Sequence, residues 1–190
     1  MKSYFYGLLL LLLMPCQAFS EDYDIDIEGA HAFIDFRIQH LGFSWMSGRF
    51  NTFSGEFSYD DNKPADSSVS VTIQTASIDT NHAERDKHLR NDTFLDVKQF
   101  PTAHFVSTSF EQNTDGSAVL WGDFTFRGIT KPLKLDITHV GHGADPWFGY
   151  RRGFVGKTQF KLTDYGIGIS TLGKQSNDIY LTLSVEGIRR

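Results

Sequence analysis

Histidine is the side chain best suited to chemistry in this chain, which holds seven of them in 190 residues. His139 and His142 stand in an H-x-x-H spacing, which on a helix would offer two ligands to a metal. Gly141 and Gly143 mark the stretch as a turn instead, so a rigid two-histidine grip is not expected. His82 and His88 lie about one and two-thirds helical turns apart and face different ways. The richest cluster is Arg85-Asp86-Lys87-His88-Leu89-Arg90, with cations and a histidine on one short element. It reads either as a solvated helix packed over one end of the fold with Leu89 as its anchor, or as a polar gate over a cavity. In the second case Arg85, His88 or Arg90 would face a ligand headgroup, and a guanidinium suits a phosphate or a quinone carbonyl. Gly168-Ile169-Ser170-Thr171-Leu172 lacks the last glycine of a nucleophile elbow, and no helix follows it. The G-x-G begun by Gly166 and Gly168 ends at Thr171, so there is no dinucleotide fingerprint. Asp22, Asp24 and Asp26 are expected on an exposed strand face, serving solubility. No catalytic residue and no metal set emerges.

The leader sets the compartment. Lys2 precedes an unbroken leucine run from Leu8 to Leu13. That run is too short for a membrane span, which needs ~20 apolar residues, and it fits the apolar region of a cleaved secretory signal. Pro15 stops it, and small residues at Cys16, Ala18 and Ser20 allow cleavage after Ala18 or Ser20. Residues 1–20 are therefore read as a signal peptide and 21–190 as the working domain. Lipidation at Cys16 is the competing reading, disfavoured by Pro15 directly before it. Cys16 is the only cysteine, so its loss excludes zinc–cysteine sites, cysteine nucleophiles and thiol redox chemistry. The remaining 170 residues (190 − 20) can bury one core without disulfides. Removing Lys2, the only charge in the leader, moves the net charge from −5 to −6. An acidic balance with no basic run argues against nucleic acid as a partner. Such a leader routes the domain that follows for export across a membrane.

The elements that must position any site are strands. Val69, Val71 and Ile73 share one face, as do Leu133, Leu135 and Ile137, and Ile179, Leu181, Leu183 and Val185; each set alternates with polar residues. Less regular strands run over residues 32–38, 50–59, 102–110, 118–126 and 154–162. Turn signals separate them at residues 60–64, 113–116 and 141–143. About eight strands at this spacing make a sandwich or a barrel. Residues 82–91 are good helix formers with no β-branched residue. Asn81 is the expected cap, with Glu84 completing a variant capping box, and Asp86 and Arg90 are spaced to pair. A second short helix is expected through Phe94, Leu95 and Val97, ended by Pro101.

Several stretches together resemble the bacterial YceI-like family, lipocalin-like proteins described as periplasmic polyisoprenoid-binding proteins. They are His31-Ala32-Phe33 through Arg37-Ile38-Gln39-His40-Leu41-Gly42, the twelve residues from Asp79 to Arg90, and Phe100-Pro101 with Phe105-Val106-Ser107-Thr108. Gly128-Ile129-Thr130-Lys131-Pro132, Asp145-Pro146-Trp147, Gly153-Phe154 and Ser184-Val185-Glu186-Gly187 follow in order. Phe148 and Tyr150 enrich the loop beside Trp147, a small departure at the cavity mouth.

The resemblance implies an all-β fold: an antiparallel lipocalin-like barrel of about eight strands, with one or two short helices near residues 82–100. It implies an apolar cavity holding an amphiphile, such as a prenylated quinone or pyrophosphate or a fatty amide, with no cofactor besides that ligand and no accepted catalytic residue. Barrels of this size can hold one small ligand, and each buried CH₂ of a prenyl chain contributes ~0.8 kcal/mol. The expected cavity wall is Val69, Val71, Ile73, Leu133, Leu135, Ile137, Ile179, Leu181 and Leu183. Arg37 and His40, in the first matched stretch, join Arg85, His88 and Arg90 as candidate headgroup or gate residues. The expected role is a periplasmic carrier of a long-chain isoprenoid, compatible with transient contact with an inner-membrane protein. The alternatives are an enzyme modifying a prenyl lipid through Arg85, Asp86 and His88, or a stress-related module with a non-specific lipid.

Overall fold

A computed structural model describes residues 20–190. The leader readings, including both cleavage sites and Cys16, lie outside the described residues. The alternation of apolar and polar residues resolves into eleven strands: β1 Glu21–Ile25, β2 Phe33–His40, β3 Ser44–Phe50, β4 Phe53–Tyr59, β5 Ser68–Gln74, β6 Ile78–Asp79, β7 Thr102–Gln112, β8 Ser117–Phe126, β9 Ile129–Ala144, β10 Tyr150–Lys161 and β11 Asp178–Arg189. One α-helix, α1, spans Ala83–Leu89. All pairings are antiparallel, and eight strands close a ring in the order β1-β4-β5-β7-β8-β9-β10-β11, with β1 pairing back onto β11. The expected eight-stranded antiparallel barrel is the fold of this chain. Closure leaves no edge within the ring for another chain to pair with.

The ring carries an extension at one end. Ile179 to Ser184 of β11 pair with β2, whereas its last residues, from Gly187, pair with β1. β1 and β2 thus follow one another along the same edge of β11. Their partners β4 and β3 do the same, since β3 pairs with β2 and β4 with β1. The single strand expected over residues 50–59 is therefore two, broken at Asn51-Thr52. The hairpin from β8 to β9 turns through Arg127 and Gly128, both at positive φ (49° and 74°), the two-residue geometry that matches strand twist.

The pleat sends alternate side chains inward. Phe53 and Phe57 of β4, Phe105 of β7, Leu120 and Phe124 of β8 and Leu133, Leu135 and Ile137 of β9 are all buried. Two register shifts interrupt the alternation, one in β7 between Ser107 and Ser109 and one in β9 opposite Gly153 and Phe154. The turn expected at residues 141–143 does not form. These residues continue β9, with Gly141, His142 and Gly143 paired to Gly153, Arg152 and Arg151. The chain reverses later, where Asp145 accepts hydrogen bonds from the backbone of Trp147 and Gly149.

The helix region departs from expectation in three details. His82, not Asn81, caps α1: Arg85 N–H donates to its Nδ1 at 3.2 Å, while Asn81 sits at φ 58° outside the helix. Asp86 and Arg90 do not pair. Asp86 is buried and accepts from the Thr80 amide and hydroxyl at 2.9 and 2.5 Å, and Arg90 donates to the carbonyls of Ala76 and Ile78 at 2.7 and 2.6 Å. The second helix is absent; residues 91–99 form successive turns in which Asp96 takes φ 46°, a conformation a right-handed helix does not contain. Asp26 is also reassigned, since it is buried rather than exposed.

Candidate functional site

The barrel encloses a narrow apolar cavity of about 120 Å³. Its wall draws on every strand of the ring. Val69, Val71 and Ile73 of β5, Leu133, Leu135 and Ile137 of β9, and Leu181 and Leu183 of β11 all lie on it. Ile179 does not; it is buried in the core at the start of β11. Regular alternation had singled out these three strands. The structure adds Ile25, Ile34, Phe57, Phe105, Phe110, Leu120, Phe124, Phe154 and Val185. The extra residue Thr108 shifts the period of β7 before Phe110, so periodicity alone could not place it on the wall, and in β10 the apolar alternation begun by Phe154 is broken by Gly156 and Thr158. Gly156 opens space midway; a Cβ there would meet Ile137 Cδ1 at 3.2 Å and Leu183 Cδ1 at 3.6 Å.

The two ends of the cavity differ. Toward the α1 end, Phe124, Phe126, Phe160 and Tyr165 pack ring on ring, with centroids 5.2 to 5.8 Å apart. Burial pushes the Tyr165 phenol up to about 12. These rings form an apolar floor. At the opposite end the wall is closed by Ser58, Tyr59, Ser67 and Ser68 around the β4–β5 connection, with the hydroxyls of Ser58 and Ser68 bonded to each other. Arg152 stands there with 1 % of its side chain exposed. Its Nη1 and Nη2 donate to the two carboxylate oxygens of Asp61 at 3.0 and 2.6 Å, its Nε reaches the Tyr23 hydroxyl at 3.3 Å, and its guanidinium lies 4.5 Å from the Tyr59 ring centre. The Arg152 guanidinium holds the Asp61 carboxyl below its usual range, against the opposing effect of desolvation.

The bulge in β9 leaves Val140 without a partner, because Phe154 pairs with His139 and Gly153 with Gly141. A bulge of this kind re-aims side chains. Here it brings His139 and His142 to a ring separation of 5.4 Å. His139 also packs on two rings of the cavity wall, Tyr59 at 6.5 Å and Phe154 at 5.2 Å. Burial lowers its pKa, and the neighbouring Arg152 and His142 add to that effect. His139 Nε2 and Ser67 Oγ are buried without a hydrogen-bond partner.

None of the five expected gate residues lies on the cavity wall. Arg85 donates from Nε to the Thr80 hydroxyl and from Nη2 to the Thr80 carbonyl, both at 2.7 Å. Arg90 holds the two carbonyls named above. His88 is exposed, 3.2 Å from Asn91 Nδ2 and edge-on to Phe94. Arg37 is exposed, with its guanidinium 4.7 Å from the Trp45 ring and 5.5 Å from that of Tyr180. His40 ends β2 at the surface. The polar atoms of Arg85, Asp86 and Arg90 thus anchor α1 and its neighbours to backbone groups and Thr80.

Asp26, His31 and Glu186 converge closely enough to suggest a metal set. Arg151 already supplies the cation, with Nη1 2.6 Å from both Asp26 Oδ2 and Glu186 Oε1, and Nε 2.7 Å from Asp145 Oδ2. Burial raises the Asp26 pKa, but hydrogen bonds from His31, Arg151 and the Gly29 amide outweigh it and bring the group down to about 2. The grouping ties β1, β10 and the 145–149 turn together.

Comparison with known proteins agrees with this architecture. The chain is 51% identical over 179 residues to a UPF0312 protein of Shewanella sp. (strain MR-4), covering 94% of this chain and 93% of the relative. It is 53% identical over 174 residues to one from Pseudomonas aeruginosa (strain LESB58), covering 92% and 90%. Among solved structures, Burkholderia cenocepacia BcnA superposes with a TM-score of 0.77 at 20% identity, covering 86% of this chain and 99% of that one. A Campylobacter jejuni YCEI protein superposes at 0.70 with 28% identity, covering 80% and 90%. A polyisoprenoid binding domain from Saccharophagus degradans, implicated in plant cell wall breakdown, has the same fold at 0.64 and 12% identity, covering 88% and 98%. The YceI-like domain model matches residues 23–187, and the chain belongs to the YceI-like family.

Proposed function

We propose that this chain is a binding and carrier protein that holds a long-chain isoprenoid, or a similar amphiphilic lipid, inside its barrel. The observation that carries this reading is the enclosed apolar cavity, walled by all eight strands of the ring. Each CH₂ moved into such a space contributes ~0.8 kcal/mol, so a few isoprene units offset several kcal/mol of lost freedom without a strong polar contact. A solved structure of the same fold is titled a polyisoprenoid binding domain, which is consistent with the proposed ligand class. The grouping of Arg85, Asp86 and His88 gives an enzymatic reading little support, because Arg85 and Asp86 are committed to Thr80.

The leader supports export to the periplasm, where an apolar chain in water needs a carrier. Fractionation with N-terminal sequencing tests this part: a mature start at residue 19 or 21 is expected, and a cytoplasmic protein retaining Met1 would refute it. Native mass spectrometry and lipid extraction of protein purified from its own periplasm test the ligand. Co-purifying prenyl lipid is expected. Repeated recovery of an empty barrel with no affinity for prenols or prenyl quinones would end the proposal.

A further inference from the structure

The β2–β3 hairpin ends in apolar side chains that the fold does not bury. It turns through Leu41 and Gly42, both at positive φ (53° and 83°), and Phe43 N–H closes the turn on the His40 carbonyl at 2.9 Å. Such positions favour Asn, Asp or Gly, yet Leu41 is here, 44% exposed, with Phe43 at 86% and Trp45 at 47%. The tip is braced by the loop between β10 and β11. Ser176 Oγ donates to the Gln39 carbonyl at 2.6 Å, and a Cβ on Gly173 would lie 3.1 Å from Leu41 Cδ2. Behind the tip Trp45 meets Tyr180 edge-on at 5.4 Å, and the Arg37 guanidinium lies over both rings. Residues 36–48 and 165–177, which form the tip and its brace, contain Arg37 and Lys174 as their only charged side chains besides His40, in a chain of net charge −5. The acids that flank the brace, Asp164 and Asp178, are paired with Lys131 and Lys161 at 3.9 and 2.7 Å.

We propose that this tip seats the protein on the surface of an anionic lipid bilayer. Leu41 and Phe43 enter the acyl boundary, Trp45 and Tyr180 lie among the headgroups, and Arg37 and Lys174 face lipid phosphates. Each group suits its depth. Leu and Phe gain by leaving water, Trp and Tyr favour the membrane–water interface, and each cation near an anionic surface adds about fivefold in affinity. Three apolar side chains on a turn are too few to bury the ~800 Å² per partner of a standard protein interface, but such a patch with flanking cations suits reversible attachment to lipid. The opposite end of the barrel exposes Trp147 and Phe148 as well. There residues 21–28 hold Glu21, Asp22, Asp24, Asp26 and Glu28 with no Lys or Arg, a balance that an anionic surface repels. The seat does not depend on what the cavity holds.

Co-sedimentation with vesicles tests the seat, on protein lacking the leader, whose leucine run would itself enter a bilayer. The vesicles are phosphatidylcholine alone or phosphatidylcholine mixed with phosphatidylglycerol. Wild-type protein is expected to bind the anionic vesicles more tightly and to lose that advantage at high salt. The double variant Leu41→Ser, Phe43→Ser should bind both kinds at least about tenfold more weakly. The double variant Arg37→Gln, Lys174→Gln should lose about tenfold or more on the anionic vesicles and nothing on the neutral ones. Tryptophan fluorescence reads which end inserts. In Trp121→Phe, Trp147→Phe the remaining Trp45 should shift to the blue on anionic vesicles and be quenched by brominated acyl chains. In Trp45→Phe, Trp121→Phe the remaining Trp147 should not respond. Circular dichroism checks that each variant is folded. Wild-type protein that binds neither vesicle, binding undiminished by Leu41→Ser, Phe43→Ser, or a response from Trp147 in place of Trp45 would overturn the proposal. So would a dimer, seen by analytical ultracentrifugation, that binds no vesicle and that the Leu41→Ser, Phe43→Ser variant fails to form; the tip would then belong to a second copy of this chain.

Discussion

Gly156 sits midway along the cavity wall, and a leucine there tests whether a bound chain runs the length of the barrel. The new Cβ would meet Ile137 Cδ1 at 3.2 Å, Leu135 Cδ2 at 3.6 Å and Leu183 Cδ1 at 3.6 Å. These neighbours are side-chain methyls and can give by a few tenths of an ångström. The rest of the leucine enters the cavity, so overpacking should cost no more than about 1 kcal/mol. The level matters because Leu133, Phe124 and Thr158 lie beyond it toward the floor. A chain threaded past Gly156 loses access to that half. Displacing one five-carbon unit removes about 4 kcal/mol of transfer free energy at ~0.8 kcal/mol per carbon. Not having to order that unit returns roughly 2 kcal/mol. The net loss is about 2 kcal/mol, or roughly thirtyfold in affinity for each unit excluded. Binding of prenols of increasing length, read by displacement of an apolar fluorophore, should strengthen steadily in the wild type and level off at a shorter chain in Gly156→Leu. Circular dichroism and thermal melting check that the barrel is intact. Equal affinity of both proteins for the longest prenol would refute an axial path through the barrel.

Three further outcomes follow from the polar groups. Asp61→Ala should destabilise more than Arg152→Met, because the first strands a guanidinium that is 1 % exposed while the second leaves a carboxylate that is 59% exposed; costs of about 3 and 1 kcal/mol are expected, and thermal melts that reverse the order would contradict the burial argument. Asp26 binds its proton more weakly in the folded protein, at about 2 against an ordinary 3.8, so its contribution to stability is complete above about pH 4 and is lost as pH falls toward 2; the gap in urea midpoint between wild type and Asp26→Asn should close over that window, and a gap constant with pH would refute it. His82→Leu should cost about 1 kcal/mol through loss of the α1 cap while His82→Asn retains most of it, and urea denaturation showing no difference between the two would reject the capping role.

Much of the barrel was legible because its most regular strands keep strict alternation. Val69, Val71 and Ile73 point inward with no bulge to disturb them, and so do Leu133, Leu135 and Ile137. Where the ladder slips, the pattern misleads. His139 keeps the parity of Leu133, Leu135 and Ile137, but His142 joins it on the same face only because Val140 is left unpaired, and Gly141 and Gly143, which serve as strand residues here, carry the composition of a turn. The helix misled for a different reason. Arg85, Asp86 and Arg90 look like a display of free charge in sequence, yet Thr80 and the carbonyls of Ala76 and Ile78 lie within reach. Those partners are set by how β6 runs beside α1, and spacing along the chain does not encode that.

The same distinction bears on how such a barrel selects its ligand. Apolar burial is nearly non-directional and scales with area, so the wall residues that alternation reveals reward any chain of suitable girth and length. Discrimination between heads must come from polar groups that a mismatched ligand would leave buried and unsatisfied. In this chain the buried cation nearest the cavity, Arg152, stands at the opposite end of the barrel from the charged helix. A guanidinium already paired with Asp61 cannot reward an anion as a free cation would. The charge that is conspicuous in sequence is spent on holding the fold.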